Sequence, residues 1–431
     1  MTKVNNSLNK SELFATFVRC RLGKTTKTNY IMASISLKAQ QMPASAIRKL
    51  VPLSDAAKKQ GVKVYHLNIG QPDIKSPDCA LEAVRNLKLK NVSYTNSAGL
   101  IELREGLVNR YYKGIGIDIE VPELIVTVAG SEGVNMALEI ACNEGDEVIV
   151  LEPFYTNYNT FAFMNGITLK PIPTDIRKGF QVPDIELFEK AITDRTKAIL
   201  ICNPGNPCGT LYSKENMLAI GEIARKHDLF LISDEVYREF TYSDEPHFSA
   251  MNIPDLDQNV ILVDSVSKRY NLCGVRIGCI VSHNKDVMTA AMKYAQARLC
   301  PPVLGQHAAI GALDTPQEYF LEVRDEYIRR RDYMIDRLNS MEGVFTPRPM
   351  GAFYTIAELP VDDTEKFARW MLETFRLNNE TTMITPAASF YKTPGKGLNH
   401  ARISYVLEVP EMVKALDCLE EGLKQYPGRT I

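Results

Sequence analysis

Three short apolar runs, each ending on polar chemistry, limit what this chain can fold into. Lys197-Ala-Ile-Leu-Ile-Cys202 leads into Asn203-Pro-Gly-Asn-Pro-Cys-Gly209, and Leu229-Phe-Leu-Ile-Ser233 leads into Asp234-Glu-Val-Tyr237. Val260-Ile-Leu-Val263 leads into Asp264-Ser-Val-Ser-Lys268. Runs this short, continuously apolar and separated by helix-like segments, read as strands of a parallel sheet buried on both faces. Such a sheet presents its ligand outside the carboxyl ends of its strands. The polar residues of this chain fall at those ends.

Their chemistry is specific. A lysine held at a strand end is less hydrated than one on a surface, which favours the neutral amine that a Schiff base to an aldehyde requires. Lys268 occupies that position, Ser265 and Ser267 precede it, and Arg276 follows in Gly274-Val-Arg-Ile-Gly278. Two short hydroxyl donors and one permanent, fork-shaped cation are what a phosphate requires. Asp234 suits a protonated heteroaromatic nitrogen, because the ion pair keeps the ring cationic. Tyr237 and the amide of Asn206 could both hydrogen-bond a ring phenolate. Singly, Asp234 or Asn206 would read as a cap or turn residue, and Lys268 as a surface lysine. The ordered set Asn206, Asp234, Tyr237, Lys268 and Arg276 is far harder to obtain by chance.

From about Ser45 to Tyr405 the chain resembles the class I/II aminotransferases, pyridoxal 5'-phosphate-dependent enzymes of fold type I. The resemblance rests on Asn206-Pro-Cys-Gly209, Ser233-Asp-Glu-Val-Tyr237 and Ser265-Val-Ser-Lys268 with Arg276. It implies an α/β fold: a large domain with a mostly parallel seven-stranded sheet between helices, plus a smaller α+β domain. It also implies that Lys268 forms the Schiff base, Asp234 pairs with the pyridine nitrogen, and Asn206 and Tyr237 contact the ring oxygen. Ser265, Ser267 and Arg276 would hold the phosphate, together with backbone N–H groups of Gly130, Ser131 and Glu132 at a helix start, where the helix dipole also favours an anion. Tyr155, in Glu152-Pro-Phe-Tyr155, matches the aromatic residue that stacks on the ring. Tyr94 matches a tyrosine that reaches the phosphate of a neighbouring subunit, so a homodimer with shared active sites is implied. Gly70, in Asn68-Ile-Gly-Gln-Pro-Asp73, would line the substrate, and Arg402 would clamp its α-carboxylate. Cys208 stands where the family usually has threonine, at a position that is not a direct cofactor ligand.

Composition narrows the partners. A formal net charge of −2 without basic clusters argues against nucleic acid, and no apolar run approaches the ~20 residues of a membrane span. Nine scattered cysteines without a CxxC pair read as reduced thiols of a cytoplasmic protein, and six scattered histidines suggest no metal site. Residues 1–31 are basic and acid-poor, the composition of either a targeting peptide or a tail upstream of Met32. The expected organisation is an extension over 1–44, a small domain from 45–75 and 310–431, and a large cofactor-binding domain over 76–309.

The implied reaction is ping-pong transfer of an amino group from an L-amino acid, of aspartate or broad acidic/aromatic type, to a 2-oxo acid such as 2-oxoglutarate. Carbon–sulfur lyases share these motifs and differ in which α-bond breaks. A regulatory protein using the same fold would need a DNA-binding domain, for which the ~45 preceding residues are too few. In one aspartate-specific subgroup a lysine replaces Ser131 and a threonine replaces Ile47. Here Arg48 and Arg298 are the candidates for a distal carboxylate, each otherwise a solvated surface arginine.

Overall fold

The computed structural model describes residues 33–431 except Ala46 and Asp244, so the question raised by residues 1–31 lies outside the described residues. The chain up to Met42 groups apart from a compact unit, Pro43–Ile431. In the first group a short helix, Leu37–Gln41, starts where the Ser36 hydroxyl accepts from the Ala39 N–H at 3.1 Å.

In chain order the strands are β1 (Lys63–His66), β2 (Leu124–Thr127), β3 (Glu147–Glu152), β4 (Thr168–Pro173), β5 (Thr196–Cys202) and β6 (Phe230–Asp234). They continue as β7 (Val260–Ser265), β8 (Gly278–Val281), β9 (Tyr354–Glu358), β10 (Glu380–Met383), β11 (Thr385–Pro386) and β12 (His400–Ser404). Seven of them form one sheet in the order β2-β8-β7-β6-β5-β3-β4, and only β8 runs against its neighbours. The three runs singled out in the sequence are β5, β6 and β7 at its centre. The mostly parallel seven-stranded α/β architecture is therefore as expected.

The continuous apolarity of these strands has a direct cause. Val260 and Leu262 of β7 enter one apolar cluster, with Ile199 and Leu231. Ile261 and Val263 enter another on the opposite face, with Leu200 and Ile232. Both faces are buried, so neither set of alternating positions can be polar. A third cluster gathers Tyr65, Leu67, Tyr327, Phe353 and Leu416 around the three-stranded sheet β11-β12-β9 and the parallel pair β1-β10. The long helix Gln317–Asn339 buries Tyr327, Met334 and Leu338 in this cluster. Among the described residues all cysteines are free, and no helix is long and apolar enough to cross a membrane.

Gly278 is where the sheet is least tolerant. A Cβ there would lie 2.6 Å from the Ala129 carbonyl carbon and the Asp264 carbonyl oxygen, and 2.8 Å from the Gly130 nitrogen. All three are backbone atoms and cannot swing aside. Gly278→Ala is expected to lower unfolding free energy by about 1–3 kcal/mol or more, measured by denaturant titration. Gly274→Ala, with nothing within 4 Å of its added carbon, is the matched control and should change stability little.

Candidate active site

Topology gathers the polar strand ends on one edge. β5, β6 and β7 run in the same direction, with Cys202, Asp234 and Val263 side by side. The opposed β8 begins at Gly278, which pairs with Ser265 at the end of β7 and Thr127 at the end of β2. Residues after β2 and before β8 therefore reach the same edge as Lys268. Ala129, at a left-handed φ of 60°, turns the chain from β2 into the helix Ala129–Ala141. A Cβ on Gly130 would meet Val236 at 3.1 Å and the Ser265 Cβ at 3.9 Å. The helix start thus lies against the ends of both β6 and β7.

One continuous run of contacts joins the predicted substrate and cofactor residues. Lys268 Nζ donates to the Gly70 carbonyl at 2.8 Å and contacts Cys273 Sγ at 3.6 Å. The Tyr354 hydroxyl donates to the same carbonyl at 3.4 Å and shares a hydrogen bond of 3.1 Å with the Tyr237 hydroxyl. Asn206 Nδ2 donates to Tyr237 at 3.4 Å, and Asn206 Oδ1 accepts from Arg402 Nη1 at 3.1 Å. Arg402 Nη2 then donates to the Asn68 carbonyl at 2.7 Å. At Gly70 a Cβ would fall 1.6 Å from the Tyr354 hydroxyl oxygen, so this close approach requires glycine unless the ring moves.

Two buried charges in this site lack a counter-ion. Arg402 is 1% exposed, 4.5 Å from the centroid of the Tyr354 ring and 5.3 Å from that of Phe390. Its Nε has no hydrogen-bond partner, and no carboxylate among the described residues pairs with it. Asp234 accepts from the Tyr158 hydroxyl at 2.7 Å and the Val236 N–H at 3.4 Å, and no cation among the described residues reaches it. Burial pushes its carboxyl up to about 6, against the lowering effect of those two hydrogen bonds. Tyr155 belongs to the same electrostatic neighbourhood. Burial and Tyr354 push its phenol up to about 12, while Arg402 and Arg48 oppose the rise.

The hydroxyls cluster tightly. Ser265 Oγ donates to Ser267 Oγ at 2.8 Å or to the Ile277 carbonyl at 2.9 Å, and it accepts from the Ser267 N–H at 3.1 Å. Arg276 is exposed, at a left-handed φ of 57°, with Nη1 on the Cys273 carbonyl at 3.0 Å. Ser131 and Glu132 lie in the first turn of the Ala129–Ala141 helix, and the Glu132 carboxylate returns to the Val128 N–H at 2.5 Å. Tyr94 joins none of these contacts within the chain and is 79% exposed.

Arg298 is not the solvated surface arginine expected. It donates to the Ser97 and Val126 carbonyls at 3.0 and 3.4 Å and lies 3.5 Å from Glu132, with its side chain 15% exposed. Leu299, at a left-handed φ of 81°, ends the helix Lys285–Arg298. Arg48 is exposed, in the turn before the helix Val51–Lys59. Tyr158, Tyr354 and Asn68 escaped the sequence reading. Tyr158 stands three residues after Tyr155 on the helix Asn157–Met164, one turn from a flagged aromatic, and that was its only signal.

Comparison with known proteins places this geometry. The family described as aminotransferase class I and II matches residues 62–418. An aspartate aminotransferase of Thermotoga maritima is 30% identical over 90% of this chain and 99% of its own, and its crystal structure superposes with a TM-score of 0.82 over 91% and 100%. An aspartate/prephenate aminotransferase of Thermus thermophilus is 32% identical over 90% of this chain and 98% of its own. An alanine aminotransferase structure from Pyrococcus furiosus shares 32% identity and a TM-score of 0.82, covering 91% of this chain and all of that one (100%). With its family matched over most of its length and its fold shared with solved members, the chain belongs to the class I and II aminotransferases, a pyridoxal-phosphate-dependent family of transaminases.

Proposed function

We propose that this aminotransferase binds pyridoxal 5'-phosphate at the described sheet edge and moves the amino group of an aspartate-type L-amino acid to a 2-oxo acid such as 2-oxoglutarate. The observation that carries the reading is a pair of buried charges of opposite sign, Asp234 and Arg402, neither of which has a counter-ion among the described residues. A buried ion without a partner is unfavourable, so each calls for a group on the ligand. Asp234 suits a ring N–H cation, and the Arg402 fork suits an α-carboxylate. Ser265, Ser267, Arg276 and the N–H groups of Gly130, Ser131 and Glu132 suit a phosphate. The residues present thus fit the family's cofactor.

When bound, pyridoxal phosphate supplies an electrophilic aldehyde and an electron-withdrawing ring. The chain's own residues do the rest. Asp234 keeps a proton on the ring nitrogen, Tyr237 and Asn206 hold the ring oxygen, and Tyr155 covers one ring face. Arg402 and Gly70 would fix the substrate so that its α-proton faces Lys268, whose Nζ would accept that proton. The substrate would enter between the large and small domains, whose closure would exclude water. Tyr94 would complete the phosphate site of a second copy, making the homodimer the active unit.

For the distal carboxylate Arg48 is favoured over Arg298. The charge of Arg298 is already opposed by Glu132 at 3.5 Å and its Nη2 is taken by two carbonyls, leaving Nε and Nη1 without a hydrogen-bond partner among the described residues, whereas Arg48 is exposed and within electrostatic range of Tyr155. The names of the relatives, aspartate, aspartate/prephenate and alanine aminotransferases, support small and acidic donors.

Three outcomes test this reading. The first is the pH dependence of stability in the cofactor-free protein. The fold raises the Asp234 carboxyl to about 6, so it favours the protonated form. That contribution is complete below the ordinary value near 4 and is lost as pH rises through 6. Asp234→Asn should therefore stabilise the cofactor-free chain at pH 7–8, on the order of 2–3 kcal/mol, and give little gain at pH 4. No gain, or a loss, at pH 7–8 would mean that Asp234 is already paired with a cation. The second is subunit complementation. Lys268→Ala and Tyr94→Phe chains, each impaired alone, should regain part of the activity on mixing, since one site of the heterodimer escapes both lesions. Demonstrated exchange without recovery would confine Tyr94 to its own chain. The third is donor selectivity: Arg48→Met should raise KM for aspartate roughly tenfold more than for phenylalanine. Equal changes for both donors would remove Arg48 from the substrate site.

A further inference from the structure

The residues immediately after Lys268 also border a second cleft. Arg269 and Tyr270 follow the lysine, and Tyr270 lines a cleft of about 520 Å³ that contains none of the residues assigned above. A volume of this size suits a small molecule. Tyr111, Glu239, Leu313, Phe320 and Arg324 also line it.

Glu239 is half satisfied. Its Oε1 accepts from the Tyr111 hydroxyl and from Arg269 Nε, the latter at 2.7 Å. Its Oε2 is buried and has no hydrogen-bond partner. A buried carboxylate oxygen without a donor is unfavourable, and an N–H cation is the group that satisfies it best. Across the lining, Arg324 is half used in the same way. Its Nε donates to the Thr241 carbonyl at 3.2 Å, and among the described residues neither terminal nitrogen has a partner. Arg110, also in the lining, is not the free cation, because it pairs with Asp314 at 2.6 Å and donates to the Leu313 carbonyl at 2.8 Å.

Besides these charges the lining holds Glu245 and the polar Thr241, Ser243, Thr315 and Gln317, and one part of it is apolar. Tyr270 and Phe320 meet edge to face at 5.7 Å, and Leu313 adjoins them in the wall. Tyr111 is delivered by a π-helical segment, Leu107–Tyr112. Such segments are rare and concentrate at functional sites. A carboxylate with one oxygen still without a donor, a half-free guanidinium and apolar side chains in one cleft match the three parts of a zwitterion with a hydrocarbon side chain.

We propose that this cleft is a second small-molecule site that binds a free amino acid with an apolar side chain. The ammonium meets Glu239, the carboxylate meets Arg324, and the side chain lies against Tyr270, Phe320 and Leu313. The carboxylate that receives the ligand also holds Arg269, next in sequence to Lys268. Occupancy of the cleft is thereby coupled to the strand end that carries the lysine, and any such coupling acts in both directions.

Equilibrium dialysis of L-leucine against the cofactor-loaded full chain carrying Arg402→Leu tests this. That substitution removes the proposed α-carboxylate clamp of the active site, so the remaining binding reports another site. Saturable binding of one leucine per chain is expected. It should weaken at least tenfold with Glu239→Gln or with Arg324→Met added. Isoamylamine and 4-methylpentanoate, each lacking one charge of leucine, should compete at least tenfold less well than leucine itself. Arg324→Met alters a partly exposed side chain and keeps the test decisive should Glu239→Gln fail to fold. Absence of saturable binding at millimolar leucine, or binding that Arg324→Met leaves within twofold, overturns the proposal.

Discussion

The ends of β6 and β7 are held by a buried charge cluster, and the geometry of the active site depends on it. Asp264, 1% exposed, accepts from Arg269 Nη2 and from the Tyr112 hydroxyl at 3.0 Å, with Arg238 Nη1 3.7 Å away. Burial alone would raise its carboxyl, but Arg269 and Arg238 hold it below its ordinary value. Arg238 in turn pairs with Glu235, whose other oxygen accepts from Ser233, Ser249 and the Ala250 N–H at 2.9–3.0 Å. Asp234 lies between Ser233 and Glu235, and Lys268 adjoins Arg269. Both neighbours of Asp234 and the residue after Lys268 are thus committed to the cluster. Deleting one partner would strand a buried charge, a cost of about 3–5 kcal/mol. Such a penalty keeps Asp234 and Lys268 on fixed strand ends instead of mobile loops.

The strand ends were legible in the sequence, whereas the roles expected of their residues rested on the ordered set and on the family resemblance, not on any one residue's local signal. The runs before Asn203, Asp234 and Asp264 announce buried parallel strands, and a parallel sheet has only one edge on which ligands gather. The large side chains that complete the site were not legible. Tyr354 stands in β9, more than a hundred residues beyond Tyr237, and nothing near it hints that its hydroxyl bonds both Tyr237 and the Gly70 carbonyl. Tyr158 is one aromatic among several on an apolar helix. What distinguishes it is the 2.7 Å contact with Asp234, a property of the fold and not of the local pattern. Arg298 illustrates the converse. A basic residue near a helix end ordinarily reads as solvated, yet here the carbonyls of Ser97 and Val126, far away in sequence, accept from it.

The support cluster and the site obey opposite electrostatic rules a few residues apart. In the cluster, Asp264, Glu235, Arg238 and Arg269 neutralise one another, so the charges serve only to fix positions. In the site, Asp234 and Arg402 are buried without counter-ions, so their charge remains available to a ligand. Tyr158 and Val236 give Asp234 hydrogen bonds but no positive charge, and Asn206 and Asn68 give Arg402 acceptors but no negative charge. Neutral partners orient these groups without satisfying them. Their desolvation is met during folding by the packing of the apolar cores around them, and a ligand that brings the missing charges gains the full electrostatic interaction without reorganising the site. A carboxylate supplied by the chain in place of Asn206 would relieve Arg402 in the free protein and would compete with the substrate for the same fork. The amide at that position therefore does what an acid could not: it holds the guanidinium in place and leaves its charge unspent.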